Sequence, residues 1–169
     1  MPRTYCEGEI FHYRGEPLTL RLIPTDDATL LEAERKVGVD GRNAWLLLRE
    51  MPPEERQRHL HYWYTAETER IVGALIPKWS KALGVRPRSA RVKFAKTRWG
   101  SCSSNRGIFF NSRIAMLSDD VAEYLVVHEL CHLKEMNHSP AFWEEVERAL
   151  PNARELRRKL RREERYTLL

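Results

Sequence analysis

His128-Glu129-Leu130-Cys131-His132 sets two imidazoles four residues apart, with a carboxylate directly after the first. On a helix, residues four apart share one face, so both rings can reach a single ion. Glu129 stands about 100° round from His128, which puts its carboxylate beside a water carried by that ion. Zinc lowers the pKa of such a water, and a carboxylate can take its proton as it attacks a polarised carbonyl. A string this short also arises by chance, so its surroundings decide. Ser118 offers an N-cap, Asp119 and Asp120 suit the positive end of the helix dipole, and Val121, Leu125 and Val126 supply an apolar face. The helix is expected to run to about Glu135. Three of the six histidines fall within residues 128–138.

Two histidines leave a catalytic zinc one protein ligand short. His138 follows, and Met136-Asn137 can end the helix, because Asn tolerates the left-handed conformation. Ser139-Pro140 then opens a new helix instead of carrying the old one through His138. His138 is therefore the expected third ligand, with Glu144 or Glu145 as the alternative. The histidine spacing matches metzincins, but Glu135 stands where they have Gly, and no methionine follows residue 136 to form their Met-turn. Cys131 is rotated about 100° from His132 and cannot easily share its ion. It and Cys102 read as small buried residues. His12, His59 and His61 show no ligand spacing.

The elements around this helix follow from pattern and punctuation. Residues 8–48 read as antiparallel strands: Ile10 to Tyr13 and Leu18 to Ile23 flank Arg14-Gly15-Glu16, and a second hairpin turns at Asp40-Gly41 into Ala44 to Leu48. After Pro52-Pro53, a helix with Trp63, Ile71, Leu75 and Trp79 at helical spacings extends to Leu83 and a C-cap at Gly84. Pro77 predicts a kink or break near Leu75. A strand from Ala90 to Phe94 and another from Gly107 to Ala115, joined by a turn at 105–107, lead to the metal helix. The second is expected to border the cleft, where an extended peptide can add to it. Arg98 is a candidate oxyanion stabiliser or else a structural partner for a carboxylate, and Asn111 either points into the cleft or satisfies a neighbouring turn. Trp99 reads as core packing. Pro151-Asn152 recaps a final arginine-rich helix. The order is α+β.

Bulk properties narrow the class. With 169 residues, 42% hydrophobic and 31% charged, the chain can bury a core without disulfides. The expected layout is a single domain, with N-terminal hairpins over 1–50, a catalytic core over 51–151 and a basic helix over 152–169. No stretch approaches a membrane span, the first residues form no apolar h-region, and three cysteines without a CxxC pair suit a reducing compartment. A cytoplasmic location is expected, with no membrane partner. The net charge of +5 owes much to arginines at 154–165, which read as a solvated helix laced with Glu155, Glu163 and Glu164. A nucleic-acid footprint is the other reading of that stripe. Oligomeric state is open.

The run Arg98-Trp99-Gly100-Ser101-Cys102-Ser103, then Asn111, His128 to Leu133, Asn137-His138-Ser139, Phe142-Trp143 and Pro151, resembles the YgjP-like metallopeptidase family. That family is related to the SprT, Spartan and WLM-type zinc proteases. The likeness covers most of the chain and is densest over 94–151. It implies a zincin-like core with one zinc on His128, His132 and His138, and peptide bonds as the substrate. Two other functions stay open. One is a hydrolase for a non-peptide amide; peptide deformylases also use HExxH, but with an upstream cysteine ligand, and the residues flanking Cys102 do not look like theirs. The other is a DNA-associated protein of the Spartan type.

Overall fold

The computed structural model describes residues 3–24, 37–40 and 43–167. It is mixed α+β, with two small sheets and four helices among the described residues. Strands β1 (Ile10–Tyr13), β2 (Glu16–Ile23), β3 (Val37–Asp40) and β4 (Asn43–Arg49) form one sheet in the order β1-β2-β4-β3. Both expected hairpins are present and antiparallel, but β2 and β4 run parallel, pairing Thr19 with Trp45 through Ile23 with Arg49. An all-antiparallel reading of 8–48 is thereby corrected: the two hairpins meet through strands that the chain enters in the same direction. The Asp40-Gly41 turn itself lies partly outside the described residues.

Helix α1 (Pro53–Leu83) starts with Glu54 and Glu55 in its first turn and ends on Gly84, whose φ of 66° is the left-handed cap expected there. It runs unbroken past Pro77, contrary to a break near Leu75. Pro77 removes the hydrogen bond to the carbonyl of Gly73, and both residues are exposed, so that carbonyl can turn to water. On the buried side, Thr68 donates to the Ser112 carbonyl at 2.7 Å and accepts from the Ala115 amide at 3.2 Å.

The second sheet has the order β5-β7-β6, from β5 (Ser89–Lys93), β6 (Gly100–Cys102) and β7 (Gly107–Asn111). The turn at 105–107 joins β6 to β7, whereas β5 pairs with β7 in parallel. The strand expected as far as Ala115 stops at Asn111 and becomes a 3₁₀ turn over Ser112–Met116. All five of those residues are buried, which an alternating strand with one solvent face cannot achieve. β7 is thus central, and the edge beside the metal helix is β6.

Helix α2 (Asp119–Cys131) carries the HExxH residues. Ser118 occupies its N-cap, yet its hydroxyl donates to Glu163 Oε1 at 2.7 Å and its amide to Oε2 at 2.9 Å, so the cap is tied to the far end of the chain. The helix ends at Cys131 rather than near Glu135, because Leu133 and Lys134 bond back to Leu130 and Cys131 three residues before them, in tighter turns. Helices α3 (Pro140–Ala149) and α4 (Ala153–Glu163) follow, with the Ser139 hydroxyl capping α3 at the Phe142 amide. No helix among the described residues is long and apolar enough to cross a membrane.

The β1-β2 turn docks on the start of α2. Arg14 and Gly15 amides donate to the Ala115 and Met116 carbonyls at 2.8 and 3.1 Å, and Arg14 grips Asp119 through two bonds of 2.7 and 2.6 Å. Gly15 has φ of 85°, and a Cβ there would lie 2.9 Å from Ser118 Cβ. Gly15→Ala should therefore cost roughly 1–3 kcal/mol through backbone strain alone, with the clash adding to it. A urea midpoint unchanged from wild type would refute this docking.

Candidate metal centre

The interior of α2 is apolar: Val121, Ala122, Leu125, Val126, Val127 and Leu130 are buried in the larger core cluster. That burial fixes the helix's rotation and turns His128 and His132 toward the start of α3. His138, at the end of the connecting turn, returns to the same point. Its Nε2 lies 3.1 Å from His128 Nε2, and one ligand atom from each of the three histidines falls within 4.8 Å of the others. Nitrogens each bound at 2.0–2.1 Å to one tetrahedral ion stand roughly 3.3 Å apart. The set fits zinc. It is the one group of potential ligands of this kind among the described residues. Glu145 is engaged elsewhere, accepting from Lys134 at 2.7 Å and pairing with Arg148, while Glu144 is exposed.

The rings are held from behind. His132 Nδ1 lies 3.0 Å from the Glu135 carbonyl, a contact that makes Nδ1 the protonated nitrogen and leaves Nε2 to face an ion. Phe142, wholly buried, stacks on His132 at 4.4 Å and meets His128 and His138 edge-on at 4.9 Å each. Trp143 stacks on His138 at 5.8 Å. Burial, then the neighbouring imidazoles, push His128 down to about 3, and burial also lowers His132. Both are therefore neutral near pH 7, the form in which imidazole binds metal.

Glu129 is 5% exposed, and its Oε2 is buried without a hydrogen-bond partner among the described residues. Burial raises its carboxyl to about 8, and a cation beside it would act in the opposite direction. The side chain lies flat against β6. A Cβ on Gly100 would meet Glu129 Oε1 at 2.5 Å, Cδ at 2.6 Å and Cγ at 2.7 Å. Only glycine fits there.

A cavity of about 600 Å³ opens over these groups, bounded by Gly100, Trp99, Tyr124, His128, Glu129, His138 and Trp143, and on its far side by Arg157, Arg161 and Glu164. The structure does not bring Arg98 or Asn111 to this wall. The Arg98 side chain is exposed. Asn111 is wholly buried, donating to the Ala95 and Arg98 carbonyls at 2.7 and 2.6 Å and accepting from the Arg113 amide at 3.1 Å, so it ties down the loop before β6. Trp99 does line the cavity, and its Nε1 donates to Glu164 at 2.8 Å. Cys131 is buried and its thiol is pushed up to about 12. Cys102 is half-buried, with its thiol also raised by burial. His12 stacks on Tyr166 and His61 meets Phe94, both away from the centre. Sequence reasoning passed over Gly100, Phe142, Arg157 and Arg161. The only signal for the arginines was their position one step round from Leu156 and Leu160, which pack on the core.

A three-histidine cluster closing on a helical Glu, inside an α+β frame and under an open cleft, defines a zinc metallopeptidase. The description "YgjP-like, metallopeptidase domain" matches residues 1–163, and the chain belongs to that family. Among solved structures, the metallopeptidase zymogen of Pyrococcus abyssi abylysin is 28% identical, covering 54% of this chain and 93% of that one, with a TM-score of 0.49. The metallopeptidase zymogen of Methanocaldococcus jannaschii jannalysin is 18% identical, covering 54% and 94%, also with a TM-score of 0.49. No curated protein matches the sequence.

Two substitutions separate positioning from ligation. Gly100→Ala should displace the Glu129 carboxylate and lower kcat at least about tenfold while metal content holds, since no ligand has moved. Phe142→Ala should cost about 3–5 kcal/mol of stability and weaken metal retention together, because all three rings lose their support. Metal content by elemental analysis, read beside kcat, checks both; metal loss in Gly100→Ala or full retention in Phe142→Ala would contradict them.

Proposed function

We propose that this peptidase holds zinc with His128, His132 and His138 and cleaves peptide bonds in protein or peptide substrates, with Glu129 as general base. The observation that carries the reading is the buried, unpartnered Glu129 Oε2 lying beside three converging imidazole nitrogens. Zinc, when bound, supplies the Lewis acid that polarises the scissile carbonyl and makes water acidic enough to attack. Glu129 takes the proton of the attacking water at its free oxygen and passes it to the leaving amine. Gly100 keeps that carboxylate against β6, so it has one position from which to do so. The outer edge of β6, at Gly100–Cys102, presents backbone groups to which an extended peptide can pair, replacing the role expected of β7.

Glu129→Gln keeps the side chain's size but cannot accept the proton, so activity on a denatured protein should fall by about 10²–10⁴ while zinc stays bound. His138→Ala should lose zinc affinity, and activity with it. Metal analysis beside single-turnover cleavage distinguishes them; zinc lost from Glu129→Gln but kept in His138→Ala would reverse the assigned roles. Chelation should abolish wild-type cleavage and added zinc restore it. Cleavage that persists in a chelated, metal-free sample would place the chemistry elsewhere.

A further inference from the structure

Helix α4 has three faces. Ala153, Leu156 and Glu163 are buried, and Leu160 packs beside them. Arg154 and Lys159 are consumed by ion pairs with Glu147 and Asp120, at 2.7 Å each. Arg157 and Arg161, one turn apart, face the cavity over the metal centre. Neither lies within ion-pairing distance of a carboxylate among the described residues. The Arg157 guanidinium sits 4.9 Å over the Trp143 ring, and Trp143 in turn stacks on His138. One aromatic layer therefore separates that charge from the centre. Glu164, on this side of the cavity, accepts from Trp99 Nε1 at 2.8 Å through Oε1 and pairs with neither arginine among the described residues. Two positive groups with five donors each are left on the wall of a cleft built for peptides.

We propose that Arg157 and Arg161 form a subsite that receives a substrate carboxylate, so that the enzyme selects peptides by negative charge close to the scissile bond. The carboxylate comes from an Asp or Glu side chain or from the C-terminus of the peptide. This rests on the peptidase reading above. Guanidinium groups bind carboxylates through paired, charge-assisted bonds. Stacking on Trp143 limits the freedom Arg157 must give up to make them.

The test uses full-length, zinc-loaded protein and four peptides of one sequence: amidated with a neutral, an acidic or a basic residue beside the cleavage site, and neutral with a free C-terminus. One of the two carboxylate peptides should exceed the neutral amide in kcat/KM by about tenfold or more, mainly through KM, and which one does so identifies the carboxylate's source. Arg157→Ala and Arg161→Ala should each shrink that ratio toward one, Arg157→Lys should restore part of it, and Arg161→Glu should turn the preference toward the basic peptide. Binding to zinc-loaded Glu129→Gln, read from tryptophan fluorescence, should show the same order without turnover. Equal kcat/KM for all four peptides, or a carboxylate preference that survives both alanine variants, overturns the subsite while leaving the peptidase reading intact. If the wild type cleaves none of the four, binding to zinc-loaded Glu129→Gln decides: an Arg157-dependent preference for a carboxylate peptide keeps the subsite, and equal binding of all four overturns it.

Discussion

Glu129 is a carboxyl group placed where water hardly reaches, on the same helical turn as His128, one of three histidines able to hold a cation. Burying a charge without a partner is costly, and proteins ordinarily avoid it by pairing or by neutralising the group. Here it has no pair among the described residues, and its carboxyl rises to about 8. The arrangement becomes favourable when a cation occupies the adjacent histidines, since the ion supplies the missing counter-charge. On the proposed reading, metal site and base therefore depend on each other. The same constraint explains Gly100: an edge strand carrying any side chain at that point would displace the carboxylate.

Holding α2 in one rotation is the next requirement, because a helix turned by one residue would send both histidines into the core. Apolar burial along its length supplies most of that, and its N-terminus is pinned from three directions. Arg14 at the β1-β2 turn holds Asp119, Lys159 holds Asp120 at 2.7 Å, and Glu163 receives both polar groups of Ser118. Exposed pairs like Arg14–Asp119 contribute little on their own. The Glu163 contacts differ, since that carboxylate is 5% exposed and its bonds to Ser118 replace lost solvent. The N-terminal sheet and the last helix thus serve the catalytic helix although they supply no ligand to it.

How much of this the sequence discloses depends on how local the cause is. The ligands are legible because an HExxH helix carries its own geometry: four residues bring the rings together whatever surrounds them. His138 is nearly as legible, since Asn137 and Ser139-Pro140 announce the turn that returns it. Helix boundaries at Pro53, Gly84, Ser118 and Ser139 follow from caps. Pairing is another matter. Alternation shows that β2 and β4 are strands but not that they lie side by side and parallel, because the partner is chosen by packing between distant segments. β6 spans three residues, too few for any period to show, and the run Ile114-Ala115-Met116 reads equally well as strand or buried turn. Asn111 illustrates the limit well. Its residue type suits a cleft or a turn, and only the fold reveals that both its donors go to the loop before β6 while its oxygen caps the turn after β7.

The arginine-rich helix shows why net charge alone is a poor guide to partners. As a string, residues 154–165 look like one basic stripe. In three dimensions the charges fall on different faces with different fates: two are neutralised by neighbours in α2 and α3, and two stand inside the cleft. Leu156 and Leu160 decide the division, because the core fixes where they point and every other residue of α4 must follow at 100° steps. A change that rotated α4, such as moving the apolar pair by one position, would take Arg157 and Arg161 out of the cleft without altering the charge of the chain. What determines the chemistry of the cleft wall is thus the packing of Leu156 in the core and of Leu160 between the core and the cavity.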